Sequence, residues 1–250
     1  MSQAKVEATK RCYLVFGASG GIGSSVASQL VAQGHHVVLA SRDSERLTQL
    51  ADQLQMPCEA IDAADFEEVE RVFAKGVELR GQVDGAVNCV GSVLLKPAHL
   101  TSFDELQQTI AANLFSAFAV VRAAAKHVGQ GGSSVVLISS AAARIGLANH
   151  EAIAAAKAGV EGLTRSASAT YARKGLRVNA IAPGLVKTKL TERIWKSERA
   201  ATHSEAMHAL GRLGEPGDIA SGVLWLLDPT NQWITGEVIG FDGGLGRIKL

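Results

Sequence analysis

Cysteine is scarce in this chain, and the three present, Cys12, Cys58 and Cys89, stand far apart inside apolar runs. That spacing excludes a disulfide framework, gives no metal-ligand pattern, and fits a reducing cytoplasm. An excess of one charge is lacking too: 25 basic against 24 acidic residues leave a formal charge of +1. Proteins that bind nucleic acid usually show a basic excess, so no nucleic-acid partner is expected. No apolar run approaches the ~18–20 residues of a membrane-spanning helix, so no membrane partner is expected either. The opening MSQAKVEATK is polar, which argues against a secretory signal, and residues 1–10 read as a flexible tail. Tyrosine is rarer still, with two residues in the whole chain.

What is abundant is apolar sequence, at 47%, and glycine, at 26 residues. Both suit a large buried core joined by tight turns. CYLVFG (12–17), HVVLAS (36–41), CEAID (58–62), VDGAVNCVG (83–91), SSVVLISS (133–140), LRVNAIAPG (176–184) and EVIGFDGG (237–244) read as seven strands. Segments with helical spacing separate them, one over about 22–33 and another in FDELQQTIAANLFSAFAVVRAAAKH. Apolar strands without alternation are buried on both faces, which predicts a parallel sheet covered by helices. Strand and helix taking turns predict the same α/β architecture. Residues 11–250 therefore read as one doubly wound Rossmann domain with a seven-stranded parallel sheet. The charged stretch 185–211 follows the sixth strand at the carboxyl edge, where ligands bind in such folds, and reads as a substrate-capping segment.

VFGASGGIGSSVA places Gly17, Gly21 and Gly23 between the first strand and the first helix, with Ser19 and Ile22 in the same turn. Glycines there let the chain turn sharply and let backbone approach a pyrophosphate at the helix N-terminus. The second strand ends in Ser41 and Arg42. A carboxylate at that tip usually takes the ribose hydroxyls of NAD, whereas an arginine accommodates the extra phosphate of NADP. Asp43 comes one residue late for the NAD position, so NADP(H) is preferred over NAD(H); the alternative is that Arg42 is a solvated charge. Asp62 either bonds an adenine amino group or forms a turn. Asn88 and Gly91 end the fourth strand, where a small residue lets the cofactor ribose lie close.

With these residues in place the chain resembles the short-chain dehydrogenase/reductase family over nearly its whole length. The glycine turn matches, with Phe16 where the family has threonine. VNCVG keeps Asn88 and Gly91 of the family's Asn-Asn-Ala-Gly. Asn113 matches its helix asparagine, Ser140 its active-site serine and Lys157 its lysine. RVNAIAPGLVKT matches the segment that closes over the nicotinamide, with Asn179, Pro183, Gly184 and Thr188. The resemblance implies that the lysine holds the nicotinamide ribose, the serine polarises a carbonyl and the asparagine holds a water. It also implies assembly as a homo-oligomer, dimer or tetramer, through the helices carrying Asn113 and Lys157.

The family's Tyr-x-x-x-Lys, however, reads Ile153-Ala-Ala-Ala-Lys157 here. The serine thirteen residues earlier is in register, so no shifted alignment restores the phenol. Tyr13 belongs to the first strand, and Tyr171 lies ~21 Å along any continuous helix from Lys157. His150 shares a helical face with positions 153, 154 and 157, and histidine titrates near neutrality. It either replaces the missing acid or is a first-turn polar residue, with Asn149 capping the helix. Arg144 is placed near the site mouth, and with it Lys187, Lys189, Arg193 and Lys196 either receive an anionic substrate, such as a carboxylate or an acyl thioester, or form a solvated basic loop. His99, His203 and His208 read as surface residues, and Asp242 as a turn residue. Two functions remain: an NADP-dependent oxidoreductase acting on a carbonyl or activated double bond with an altered proton donor, or an inactive dinucleotide-binding sensor or assembly protein.

Overall fold

Every apolar run identified above becomes a strand, and along the central ones successive side chains enter opposite cores. The computed structural model describes residues 10–42 and 44–248; the expected tail, Lys10 apart, and Asp43 lie outside the described residues. The strands are β1 (Cys12–Phe16), β2 (His36–Ser41), β3 (Cys58–Ala60), β4 (Gly85–Asn88), β5 (Ser133–Ile138), β6 (Leu176–Pro183) and β7 (Val238–Phe241). They pair in parallel in the order β3-β2-β1-β4-β5-β6-β7. The topology reverses direction between β1 and β4, where a doubly wound sheet opens its ligand crevice.

Helices cover both faces. On one side α1 (Gly21–Ala32), α2 (Ser44–Leu54) and α9 (Pro216–Leu227) pack over Tyr13, Val15, Val37, Leu39, Val136 and Ile181. On the other, α3 (Phe66–Arg80), α5 (Ser116–His127) and α6 (Glu151–Tyr171) cover Leu14, Phe16, Val38, Val135, Leu137 and Val178. The weak third strand is three residues long and half exposed, as an edge strand can be. Asp65 accepts from the N–H groups of Glu67 and Glu68 and so fixes where α3 begins.

The long apolar helix departs from the sequence reading. From Phe103 to His127 it is long and apolar enough to cross a membrane, at mean hydropathy 1.2, yet half of it is buried inside the protein. Asp104, Glu105, Arg122 and Lys126 interrupt the run in sequence, and folding puts them on the outer side. Within it, α4 (Phe103–Ile110) passes into a π-turn (Ala111–Phe115) before α5. Asn113 sits in that turn and donates from Nδ2 to the Thr109 carbonyl at 2.9 Å. A widened turn of this kind is uncommon and is often found at functional sites.

The capping segment is helical where no element was expected: α7 (Glu192–Trp195) and α8 (Glu198–Met207). The Trp195 indole donates to the Thr188 carbonyl at 2.8 Å and ties α7 to the end of the β6 loop.

Candidate active site

The carboxyl ends of the strands open on two adjoining cavities, each of about 370 Å³. The first follows the glycine turn. Gly17 adopts φ +75° and packs so tightly that a Cβ would stand 2.8 Å from the Cys89 backbone. At Gly23 an added Cβ would meet the Gly17 carbonyl oxygen at 2.2 Å. The N-cap of α1 is Gly20, which has no side chain to cap the first turn, so its amides and dipole are left to the groove. That is an anion site of the kind a pyrophosphate needs.

Gly17, Ser19, Gly21, Ile22 and Gly23 line this groove from one side, with Gly91 and Thr188 opposite. Ser41 and Arg42 line its far end, and the Ser19 and Ser41 hydroxyls are 2.6 Å apart. Sequence reasoning missed Arg46, which faces the same end from α2, and Ile61 and Ala63, which form an apolar floor beyond β3. Among the described residues no carboxylate lines the groove.

Five predicted cofactor residues stand outside the lining of this groove. Asp62 borders a neighbouring cleft, which shares Arg42 and Val90 with the groove, and accepts from the Ala64 N–H at 3.0 Å. Asn88 is buried under the groove, accepting from the Val90 N–H and donating to the Ser116 hydroxyl, so it shapes the turn. Pro183 and Gly184 line the second cavity. Lys157 is buried behind Gly91, whose absent Cβ would come within 3.6 Å of its Nζ. The ammonium donates to the Ile138 carbonyl at 2.7 Å. Burial without a carboxylate beside it pulls its pKa from 10.5 down to about 8. Asn113 lies next to it, its amide held by Ser92 and Thr109.

The second cavity brings together Ser140, His150 and Ile153. The Ser140 oxygen accepts from the Ala142 N–H at 3.1 Å and starts the short turn Ala141–Ala143, which leaves the hydroxyl hydrogen for a ligand. Ile153 is 4% exposed and faces the cavity with hydrocarbon, one helical turn before Lys157. His150 places Nδ1 2.7 Å from the Ala148 carbonyl. A carbonyl only accepts, so Nδ1 carries the hydrogen and Nε2 is left to the cavity. Tyr13 is buried in β1, and Tyr171 closes the far end of α6.

Several surrounding expectations need correction. Asn149 does not cap α6: it is left-handed at φ +62°, its carbonyl accepts from the Lys96 N–H, and the helix starts at Glu151. Arg144 points away from the mouth, bonding Glu161 at 3.0 Å and the Val238 carbonyl, because Glu161 is buried and needs a cation. Lys187 pairs with Glu215 at 3.1 Å and Lys196 with Glu192 at 2.5 Å. Lys189 lines the nucleotide groove and Arg193 is exposed, so none of the four reaches the second cavity. His208 is no surface residue; it is 2% exposed, donates from Nδ1 to the Ser204 carbonyl at 2.6 Å and accepts the Leu185 N–H at 3.1 Å. It pins α8 to the loop leaving β6, and a Cβ on Gly184 would strike its Nε2 at 2.4 Å. Asp242 accepts from the Gly244 and Gly246 amides and is a turn residue.

Comparison with known proteins bears on this site. The family model described as enoyl-(acyl carrier protein) reductase matches residues 17–246. Carbonyl reductase family member 4 of Danio rerio is 33% identical over 244 residues, spanning 94% of this chain and 98% of its own. The 3-oxoacyl-[acyl-carrier-protein] reductase FabG of Thermotoga maritima is 30% identical, over 93% and 96% of the two chains. Among solved structures, a short-chain type dehydrogenase/reductase from Mycobacterium ulcerans superposes with a TM-score of 0.91 at 30% identity, over 94% and 90% of the chains. ElxO with NADP bound gives 0.88 at 28% identity, over 95% and 99%.

Proposed function

The chain belongs to the short-chain dehydrogenase/reductase family and is an NAD(P)-dependent oxidoreductase; from that premise we propose that it uses NADP(H), acts on a carbonyl or an activated double bond, and takes its proton from His150. The glycine turn, the uncapped α1 and the two arginines beside Ser41 suit a dinucleotide carrying an extra phosphate. NADP bound in a structural neighbour supports the same choice. When bound, the nicotinamide supplies the hydride.

One observation carries the proton assignment: His150 shares a cavity with Ser140, with Nδ1 committed to the Ala148 carbonyl. The protonated ring therefore presents Nε2–H to a substrate oxygen, while the Ser140 hydroxyl donates a second hydrogen bond. As carbon gains the hydride, oxygen takes the Nε2 proton and the ring becomes neutral with its hydrogen on Nδ1. Solvent then restores the proton, since His150 is partly exposed. His150→Ala should lower kcat by about 10²–10⁴-fold without changing NADPH binding. Unchanged turnover at every pH would mean His150 carries no proton. A wild-type protein that binds NADPH but turns over no carbonyl or enone would instead be an inactive binder.

The three free cysteines suit the proposed cytoplasmic setting. Homo-oligomer formation is proposed through the exposed Phe103, Phe115 and Phe118 on the helices of Asn113, where Phe118 stacks on Phe66 at 5.8 Å.

A further inference from the structure

Among the described residues, no lysine, arginine, aspartate or glutamate lines the second cavity. Leu95, Leu147, Ile153, Ile194, Met207 and Leu245 enter it from six separate segments, so hydrocarbon faces the ligand from several directions. Five polar side chains border it: Ser140, His150, Thr191, His203 and Ser204. Thr191 turns its hydroxyl onto its own segment, donating to the Val186 carbonyl at 2.5 Å and accepting the Thr188 N–H. His203 is exposed on α8 and belongs to the rim. Ser204 adds one hydroxyl from the capping segment. The remaining two, Ser140 and His150, are those assigned above to the reacting oxygen.

A carboxylate or phosphate on the part of the ligand away from the reacting oxygen would shed water and meet no lysine or arginine. A polyol would leave most of its hydroxyls without partners. A hydrocarbon skeleton gains from burial everywhere except at its oxygen. Ile153 extends the apolar wall up to the reacting position, where a phenol would otherwise have met the ligand.

We infer that the substrate is an uncharged, largely hydrocarbon ketone, its one oxygen seated at Ser140 and His150 and its skeleton against the apolar walls. The inference rests on the proposed reductase reading: hydride from NADPH and a proton from His150 convert the ketone to its alcohol, and NADPH leaves oxidised.

Binding tests it without turnover. The protein loaded with NADP⁺ is titrated calorimetrically with methyl hexyl ketone, with the ω-carboxylate of the same chain, and with erythrulose as a polyhydroxylated ketone. The plain ketone should bind at least about tenfold more tightly than either competitor. Leu147→Lys, which puts an ammonium in the wall, should reverse the order between ketone and carboxylate. Equal or tighter binding of the carboxylate or of erythrulose to the wild type overturns the inference, as does no binding of any of the three. Ketone binding with no NADPH consumption sinks the reductase reading and leaves the pocket assignment. Consumption of NADPH with a strong preference for the carboxylate does the opposite.

Discussion

The two cavities of the cleft are equal in volume but built at different distances along the chain. The nucleotide groove takes one wall from a single turn, Gly17 and Ser19 to Gly23, and its far end from Ser41 and Arg42. The substrate cavity gathers side chains from the loop after β4, from α6, and from a capping segment some forty residues further on. The first relies on backbone that has no room for side chains. The second relies on side chains that fill room. A change in the first should act as all or none, and a change in the second by degrees.

Gly23→Ala tests that contrast most severely. Its Cβ would press on the Gly17 carbonyl oxygen and carbon, which are backbone and cannot swing aside. NADPH affinity should fall at least ~100-fold, about 3 kcal/mol, while far-UV circular dichroism stays that of an α/β protein. A fluorescence titration showing wild-type affinity would mean the turn relaxes and the two ends are built alike.

Ile153→Tyr acts in the other half, by adding a function to a wall. A phenol there faces the cavity one helical turn before Lys157, and the gain in ketone reduction should be about 10²-fold. With a second acid present, His150→Ala should cost less than it does alone. That non-additivity is read from a double-mutant cycle on kcat. Strict additivity would separate His150 from the proton path.

The same contrast explains what could be read in the chain before its structure. The strands are short apolar runs, and a parallel sheet needs little else, so all seven and their order of use were visible. Gly17, Gly21 and Gly23 announce their role because a turn and a helix start are local events. His208 could not be read this way. Its burial depends on Ser204 one turn before it and on Leu185, which is twenty-three residues away. Arg144 resembled a mouth residue because its partner Glu161 lies seventeen residues on, one helix away. Asn149 has a capping residue's chemistry, but the Lys96 amide claims its carbonyl from another loop. The loss of the phenol at 153 was plain in sequence; the apolar cavity around it was not, because its walls meet only after folding.

Lys157 joins the two halves and gives a smaller, pH-dependent effect. With its folded pKa near 8 and an ordinary value of 10.5, the unfolded chain holds a proton between those limits that the folded chain has released. The contribution of this group to stability therefore rises with pH across the window. Below it both states are protonated and the folded one bears the full burial cost. Lys157→Met should raise the stability of the cofactor-free protein by about 2 kcal/mol at pH 7, with the gain vanishing above pH 10.5. Cys12, Cys89 and Tyr13, all pushed up by burial, impose an opposite slope at high pH. Cys12 and Tyr13 do not feel the replacement, but the Cys89 thiol does, so the difference in Tm between the two isolates the lysine below the ordinary thiol range. A gain that does not change with pH would mean the ammonium is not desolvated.

Arg42→Ala should have the smallest effect, because the far end of the groove is solvent-open and shared. Arg42 is exposed, and Arg46 lines the same end, so one guanidinium can be lost while another remains. A charge-assisted bond to phosphate at such a place is worth about 1.4 kcal/mol, or tenfold. KM for NADPH should rise by about that factor and KM for NADH should stay where it was, with kcat unchanged for both. Raising the salt concentration should shrink the NADPH effect in the wild type and leave the variant nearly flat, since exposed charges are screened. Equal losses for both coenzymes would assign Arg42 to the shape of the groove and remove the reason for preferring the phosphorylated one.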